Sequence, residues 1–384
     1  MNPDRIFALD AARGLAALFV CISHIRNAFL VDYQLTPNKN WPSELLYFLT
    51  SLGHQAVLIF FVLSGFLVGG SILRSGKSFT WRRFMIARVC RLWLVLVPAL
   101  ILTLSFDLTT LLFFPQAFNG VLSIAWNSGP SSPPSYTTAA FIGNLFFLQT
   151  IILPVLGSNG PLWSLANEFW YYILFPLLLI SVGKIGNYSH ISRCLHFVAV
   201  AALVCWLPGT IIVYFGAWVA GALCAVVPLR RLPVSSVRAI AICSSALFCF
   251  SLIYSKKSSF NTAFTIHPDI FLTVFFSLTL LAVLELSSRS AADEFSKMSR
   301  IWPFPTLILR SISDMSYSLY LTHFPFIISM SLFLTSGQKT AISPNSAFHM
   351  LAVLVGSLAI AHATWWLFER HNPIVRKNLL NHLG

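Results

Sequence analysis

The chain is apolar in long unbroken runs rather than in stripes. From Val57 to Gly70 it reads VLIFFVLSGFLVGG, with no charge between His54 and Arg74. The hydrocarbon core of a bilayer takes about 20 such residues per helix. Runs of that kind fall near residues 8–31, 53–73, 91–114, 162–182, 194–208, 210–228, 239–254, 269–287, 311–334 and 347–368. The fifth is the shortest, and Leu207-Pro208-Gly209 forms the turn after it. In lipid every backbone N–H and C=O must be satisfied within the protein, so runs like these are read as helices. The sequence therefore predicts an all-α fold, a polytopic membrane bundle of about ten transmembrane helices.

Composition excludes the soluble alternative. Of 384 residues, 57% are hydrophobic and only 10% charged, where a soluble globular protein is about a quarter charged. The formal net charge is +13. In a soluble protein that would suggest nucleic acid. Here it reads as Lys and Arg gathered on one membrane side, with room for an anionic ligand and no nucleic-acid partner. The seven cysteines form no CxxC pair and lie mostly in apolar stretches, so they read as small buried hydrophobes with no metal site and no disulfide framework. The first apolar stretch carries Asp10 and Arg13 and is too long for the core of a cleavable signal peptide.

Charge fixes the expected orientation. Arg74, Lys77, Arg82, Arg83, Arg88 and Arg91 follow one another with no acid between them, which places that segment in the cytoplasm by the positive-inside rule. Ten helices also put the loops of Lys184/Arg193, Arg230/Arg231/Arg238 and Arg289–Arg310 inside. The tail with Arg370, Arg376 and Lys377 falls there too, so both termini are cytoplasmic. Residues 139–156 are apolar enough to tempt an eleventh span, but that count throws all these cations outside. Residues 130–160 are accordingly expected to form an external loop, opening with Gly-Pro-Ser-Ser-Pro-Pro and holding an interfacial or re-entrant helix. No internal repeat is visible, and residues 1–384 read as a single membrane domain with no added soluble domain.

Ionisable side chains within a bilayer are costly and are functional candidates by default. Asp10, Arg13 and His24 all stand in the first run. Arg13 and His24 are eleven positions apart, three helical turns plus a small drift, so they share a face about 16 Å apart. Asp10 precedes Arg13 by three positions and can pair with it. Arg88 and Arg91 share a face near the start of the third helix, and clustered Arg suits phosphate, though topology or anionic lipid would also account for them. Glu168 sits among aromatics in Trp163-Ser-Leu-Ala-Asn-Glu168-Phe-Trp-Tyr-Tyr. His323 lies about a third of the way into the ninth run, at a depth from which it could approach His24. A hydrogen-bonded core histidine is the plain alternative for both imidazoles, and helix packing is the plain alternative for Asp10 and Arg13. Glu285 can snorkel and Asp314 can pair with an Arg. His362 reads as structural, and Asp107 has no assigned role.

Together these residues resemble the acyltransferase 3 family of membrane acyltransferases. The resemblance begins in Leu9-Asp10-Ala-Ala-Arg13-Gly14-Leu-Ala with His24. It runs through Phe60-Phe-Val-Leu-Ser64-Gly65-Phe66, Arg82-Arg83, Arg88-x-x-Arg91 and Trp163-Ser164-Leu-x-x-Glu168-x-x-Tyr171. It closes with Ser316-Tyr317-Ser-Leu-Tyr320-Leu-x-His323 and Phe368-Glu369. Each block alone is weak, but they stand in one order over nearly the whole chain. The usual Leu before Arg13 is Ala12. Some members carry a C-terminal hydrolase-like domain, whereas this sequence stops just after its last helix, so it is expected to act alone or with a separate partner.

The resemblance implies transfer of an acyl group, usually acetyl, from acyl-CoA to a hydroxyl. Acceptors are surface carbohydrates such as O-antigen, exopolysaccharide or lipo-oligosaccharide, lipid-linked glycans included, or macrolides and other small molecules. It implies a bacterial inner-membrane enzyme among membrane lipid, with acetyl-CoA as donor substrate and no metal. Donor contacts fall on Arg13, Arg82, Arg83, Arg88 and Arg91. Catalysis falls on His24 with Glu168 and Asp10, and acceptor contacts on His323, Trp163, Ser164 and Tyr320. His24 takes the acceptor proton as general base or carries the acyl group covalently. A proton-coupled transporter is the rival reading, since intramembrane acids and histidines also build proton relays. Transporters often show internal repeats, and none is visible here.

Overall fold

A computed structural model describes residues 3–37, 39–118, 134–257, 268–289 and 303–382, with side chains from 8 and from 307 at the two segment starts. Among the described residues there is no β-strand. The helices are α1 (Pro3–Phe29), α2 (Trp41–Thr50), α3 (Gly53–Ser64), α4 (Gly70–Ser75), α5 (Trp81–Phe113), α6 (Thr138–Leu145), α7 (Leu162–Ser181), α8 (His190–Trp206) and α9 (Gly209–Cys224). They continue with α10 (Val234–Lys257), α11 (Pro268–Arg289), α12 (Pro303–Asp314), α13 (Ser316–Thr335), α14 (Pro344–Leu367) and α15 (Asn372–His382). Among the described residues, eight segments are long and apolar enough to cross a membrane. Two more, His190–Trp206 and Gly209–Cys224, are apolar but shorter. All ten expected runs are thus helical, and the fifth and sixth, 194–208 and 210–228, are the two short helices. The protein is an all-α polytopic membrane protein.

The chain divides into two compact units. The first comprises Met1–Ala16, His54–Thr80 and Asn167–Ser313, the second Ala17–Gly53, Trp81–Ala166 and Asp314–Gly384.

In the first unit α3 runs into a π-helical turn, Gly65–Gly69, before α4. Such turns occur often at functional sites. The glycines here permit backbone contact with α9. A Cβ on Gly65 would lie 1.8 Å from the Trp218 carbonyl oxygen, and one on Gly221 would lie 1.9 Å from that of Val62. Small residues that let helices approach this closely are the usual means of packing where lipid is the solvent. The peripheral helix α10 turns Ile242, Leu247 and Phe250 outward, as a lipid-facing helix should.

In the second unit α13 is the core helix, with fourteen buried residues from Ser316 to Leu332. It packs on α5 and α14. The Tyr317 hydroxyl donates to the Leu92 carbonyl at 3.2 Å and the Thr110 hydroxyl to Ser329 at 2.8 Å. α5 has 33 residues, about 50 Å of helix against a hydrocarbon core of about 30 Å. The helix is therefore longer than a bilayer core is thick. The expected basic loop ends earlier than charge alone suggested. Arg82, Arg83, Arg88 and Arg91 all lie on α5, because nothing between Trp81 and Pro98 breaks a helix.

Residues 134–161 form no span. Their helix is the eight-residue α6, followed by tight turns with Phe147, Thr150 and Gly157 at positive φ. The expected Gly-Pro-Ser-Ser-Pro opening lies outside the described residues, and only Pro134 of it is described. The irregular backbone is held by buried amides. Asn144 donates to Ala140 and Pro154 and accepts from the Leu156 N–H. Irregular backbone at membrane depth needs such internal partners.

One sequence expectation fails. Cys21 and Cys90 are buried, but Cys194, Cys205, Cys243 and Cys249 are exposed. They sit on α8 and α10, where an apolar run faces outward along much of its circumference. Apolarity predicted the helix but not which side of it meets protein.

Candidate active site

The first unit holds Asp10, Arg13 and Glu168. The Arg13 guanidinium lies 3.3 Å from Asp10, as the three-residue spacing predicted. It also donates to the Ser313 carbonyl at 3.2 Å and to the Ser313 hydroxyl at 3.0 Å. Arg13 therefore ties α1 to the end of α12. Asp10 is the ion-pair partner of Arg13.

Glu168 is the acceptor of a chain of donors. The Ser64 hydroxyl and the Tyr172 hydroxyl both donate to its Oε1 at 2.5 Å. The Trp218 indole N–H donates to Ser64 Oγ at 3.1 Å. Ser64 is the last residue before the π turn, so the irregular helix and the carboxylate meet at one side chain. Sequence reading found Ser64 in a motif but gave it no role, and it missed Trp218 and Tyr172. Tyr172 stands four positions after Glu168, a spacing that brings side chains together on a helix and could have been read. Trp218, 154 residues from Ser64, left no such signal.

The second unit holds His24, His323, Trp163, Ser164, Tyr320 and the arginines of α5. The His24 and His323 rings lie 5.3 Å apart, so the predicted approach of the two is real. Phe324 closes edge-on against His24 at 4.7 Å. His323 is 1% exposed, while His24 keeps some accessible surface. His323 Nδ1 lies 2.8 Å from the Leu319 carbonyl oxygen. A carbonyl can only accept, so Nδ1 carries the proton and Nε2 of the neutral ring is a lone-pair acceptor. Tyr320 and Ser164 share a hydrogen bond of 2.6 Å, and the Tyr320 hydroxyl donates to the Pro161 carbonyl at 3.2 Å. This pins the start of α7 to α13. Trp163 stands beside Ser164, half-buried.

On α5 the Arg82 and Arg83 side chains are exposed, whereas Arg88 and Arg91 are half-buried. The Arg88 guanidinium lies 6.0 Å from the Phe84 ring centroid. Four cations on one helical end form a ready polyanion contact. Among the described residues no group of His, Cys, Asp and Glu has the makings of a metal site.

The structure also gives Asp107 a role that its sequence position did not suggest. It is 1% exposed. Its two oxygens accept from the Ser158 N–H and the Ser158 hydroxyl, each at 2.6 Å. Next to it, Asn159 donates to Thr103 Oγ1 at 3.0 Å and to the Leu321 carbonyl at 2.9 Å. Asp107 thus staples the loop before α7 to α5, and Asn159 ties the same loop to the helix that carries His323. Burial, and then the Asp107 carboxylate, push the nearby Tyr136 phenol above its usual range, so it stays protonated.

The first unit holds a carboxylate bound by hydroxyls, and the second holds a close histidine pair and an arginine-rich helix end. The acyltransferase domain model (acyltransferase 3) matches residues 6–366, and the chain belongs to that family. Among curated proteins it is similar to an acyltransferase of Streptomyces mycarofaciens, MdmB, with 29% identity over 48% of this chain and 42% of the relative. It is similar to an O-acetyl transferase of Shigella phage Sf6, with 30% identity over 43% of each. It is also similar to the peptidoglycan O-acetyltransferase OatA of Listeria monocytogenes, with 24% identity over 98% of this chain and 56% of the relative. The chain spans about half the length of the curated relatives it matches. No solved structure matches it.

Proposed function

We propose that this protein is a bacterial inner-membrane O-acetyltransferase that moves an acetyl group from acetyl-CoA to a hydroxyl of a surface carbohydrate. The observation that carries the reading is the close pair of His24 and buried His323, 5.3 Å apart, in a family whose matched relatives include two named for O-acetyl transfer.

In this scheme the phosphates of the coenzyme meet Arg82, Arg83, Arg88 and Arg91 on the cytoplasmic side, where the positive-inside rule sets them. The acceptor hydroxyl attacks the thioester carbonyl as His24 takes its proton. A C–O bond forms, the C–S bond breaks, and the proton passes from the imidazole to the departing thiolate. General-base help of this kind is worth roughly 10²–10⁴-fold. A water-poor pocket suits it, because the imidazole must start neutral. His323, whose Nε2 is a lone-pair acceptor in the neutral ring, is the neighbour that orients the hydroxyl. Glu168 sets the field around its hydroxyl cluster, and Asp10 holds Arg13 in place. The similarity to MdmB keeps a macrolide or other small hydroxylated molecule as the second acceptor class.

The test is mass spectrometry of surface glycans from cells with wild-type protein, His24→Ala or no copy. An increment of one acetyl found only with wild type supports the reading. Equal increments in wild type and His24→Ala remove His24 from the chemistry. No increment in any strain moves the acceptor to a small molecule.

A further inference from the structure

Two buried amides in the loop before α7 share an unusual arrangement. Gln149 is 0% exposed, and its Nε2 donates to the Leu162 carbonyl at 3.0 Å. Asn159 is 0% exposed, and its Nδ2 donates to Thr103 Oγ1 and to the Leu321 carbonyl. Each is pinned through its nitrogen, since a backbone carbonyl can only accept. Each leaves its oxygen, Gln149 Oε1 and Asn159 Oδ1, buried with no hydrogen-bond partner. His323 Nε2 is in the same state. With Nδ1–H on the Leu319 carbonyl, it too is an acceptor. Leaving one buried acceptor unpaired is costly, and native proteins do so rarely without a functional reason.

All three atoms belong to the second unit and to elements already tied together. Asn159 is bonded to Leu321, two residues before His323. Pro161 and Ser164 are bonded to Tyr320, whose ring lies 6.0 Å from that of His323. The missing complement is a set of donors. A coenzyme phosphate is itself an acceptor and finds no partner here. A polyhydroxylated molecule brings several O–H donors, which is the chemistry required.

We infer that Asn159 Oδ1 and Gln149 Oε1, together with His323 Nε2, bind the hydroxyls of a carbohydrate acceptor, so that the loop before α7 is an acceptor-recognition element. This rests on the carbohydrate reading above and adds residues to it. The loop is rigid enough for the task. Asp107 holds Ser158, and Gly157, at φ +55°, leaves no room for a Cβ, which would lie 2.3 Å from Asp107 Oδ2. Preorganised acceptors of this kind select a hydroxyl without having to reorganise on binding. Asp107 is the positioning residue, and Asn159 and Gln149 are the contacts.

The test uses the full-length protein in detergent micelles with two probes, the host's purified surface polysaccharide and acetyl-CoA. Asn159→Ala removes both the oxygen and the clamp to Leu321. Asn159→Asp keeps an oxygen but loses the amide donor. Expected are a rise of about tenfold or more in the polysaccharide KM for Asn159→Ala, on the scale of one lost hydrogen bond to a buried group, and a KM within about threefold of wild type for Asn159→Asp. Acetyl-CoA binding, measured by calorimetry, should stay within about twofold in both, which also reports that they fold. An equal rise in both variants would assign Asn159 to clamping alone and overturn the inference, as would an unmoved KM or a matching loss of acetyl-CoA binding. A wild type that acetylates no polysaccharide overturns the carbohydrate reading itself, an outcome visible before any variant is compared.

Discussion

Glu369 Oε2 accepts from the backbone N–H of Ser318 at 3.2 Å and from the Ser318 hydroxyl at 2.6 Å. Ser318 lies in the first turn of α13, whose own N-cap residue, Met315, makes no side-chain cap. A carboxylate from the 3-10 turn Glu369–His371, just after α14, thus caps the helix that carries His323. The Phe368-Glu369 pair, read in the sequence only as a closing motif, is a helix cap supplied from a distance.

Removing that cap should cost about 1 kcal/mol or somewhat more, the usual range for a lost cap with a carboxylate at the positive end of a helix. Glu369→Ala is expected to lower the thermal unfolding midpoint in detergent, and Glu369→Gln, which keeps an acceptor, to lower it less. Intrinsic fluorescence during a thermal ramp measures both.

Ser64 stands between the Trp218 N–H and Glu168 Oε1. Ser64→Ala leaves the indole without an acceptor and Glu168 with one fewer donor, a loss of about 1–3 kcal/mol for a buried polar group. Acetyl transfer should fall by about tenfold or more. Tyr172→Phe, which removes the other donor to the same oxygen, should act in the same direction, and the double variant should lose less than the sum because the two share a partner. A double-mutant cycle on initial rates would show the coupling. Strict additivity would mean the two donors do not act through Glu168.

The Asp107 staple makes a steric prediction. Gly157→Ala places a methyl group against a buried carboxylate oxygen at a positive φ that other residues adopt at a cost of about 1–3 kcal/mol. It should therefore lower the yield of folded protein more than Asp107→Asn, which preserves shape and one acceptor. Size-exclusion chromatography of the detergent-solubilised variants ranks them. Equal yields for Gly157→Ala and wild type would show that the loop yields to the methyl.

The α5 arginines should divide by depth. Half-buried Arg88 and Arg91 face less screening than exposed Arg82 and Arg83. On the proposed donor reading, Arg88→Ala or Arg91→Ala is expected to weaken acetyl-CoA binding by about tenfold or more, the scale of a lost charge-assisted hydrogen bond. Arg82→Ala should cost a few-fold at most, and that cost should vanish at high salt. Calorimetric titration at two ionic strengths separates the two pairs.

The sequence alone determined the solvent, the secondary structure and much of the cast. Unbroken apolar runs such as Val57–Gly70 leave helices as the economical way to satisfy the backbone in lipid. Local spacing predicted the Asp10–Arg13 pair, because three residues bring side chains to one helix face. The scarcity of charge in the runs drew attention to His24, Glu168 and His323. Tertiary structure decided the rest, because those partners lie far apart in the chain. It set Trp218 against Ser64, Glu369 against Ser318 and Ser158 against Asp107. It turned four cysteines outward on α8 and α10, since an apolar run looks the same whether it faces protein or lipid. It also left the oxygens of Gln149 and Asn159 unpaired. An amide's nitrogen and oxygen are one letter in a sequence, and which of them is committed to the fold depends on backbone carbonyls that only the folded chain brings to it.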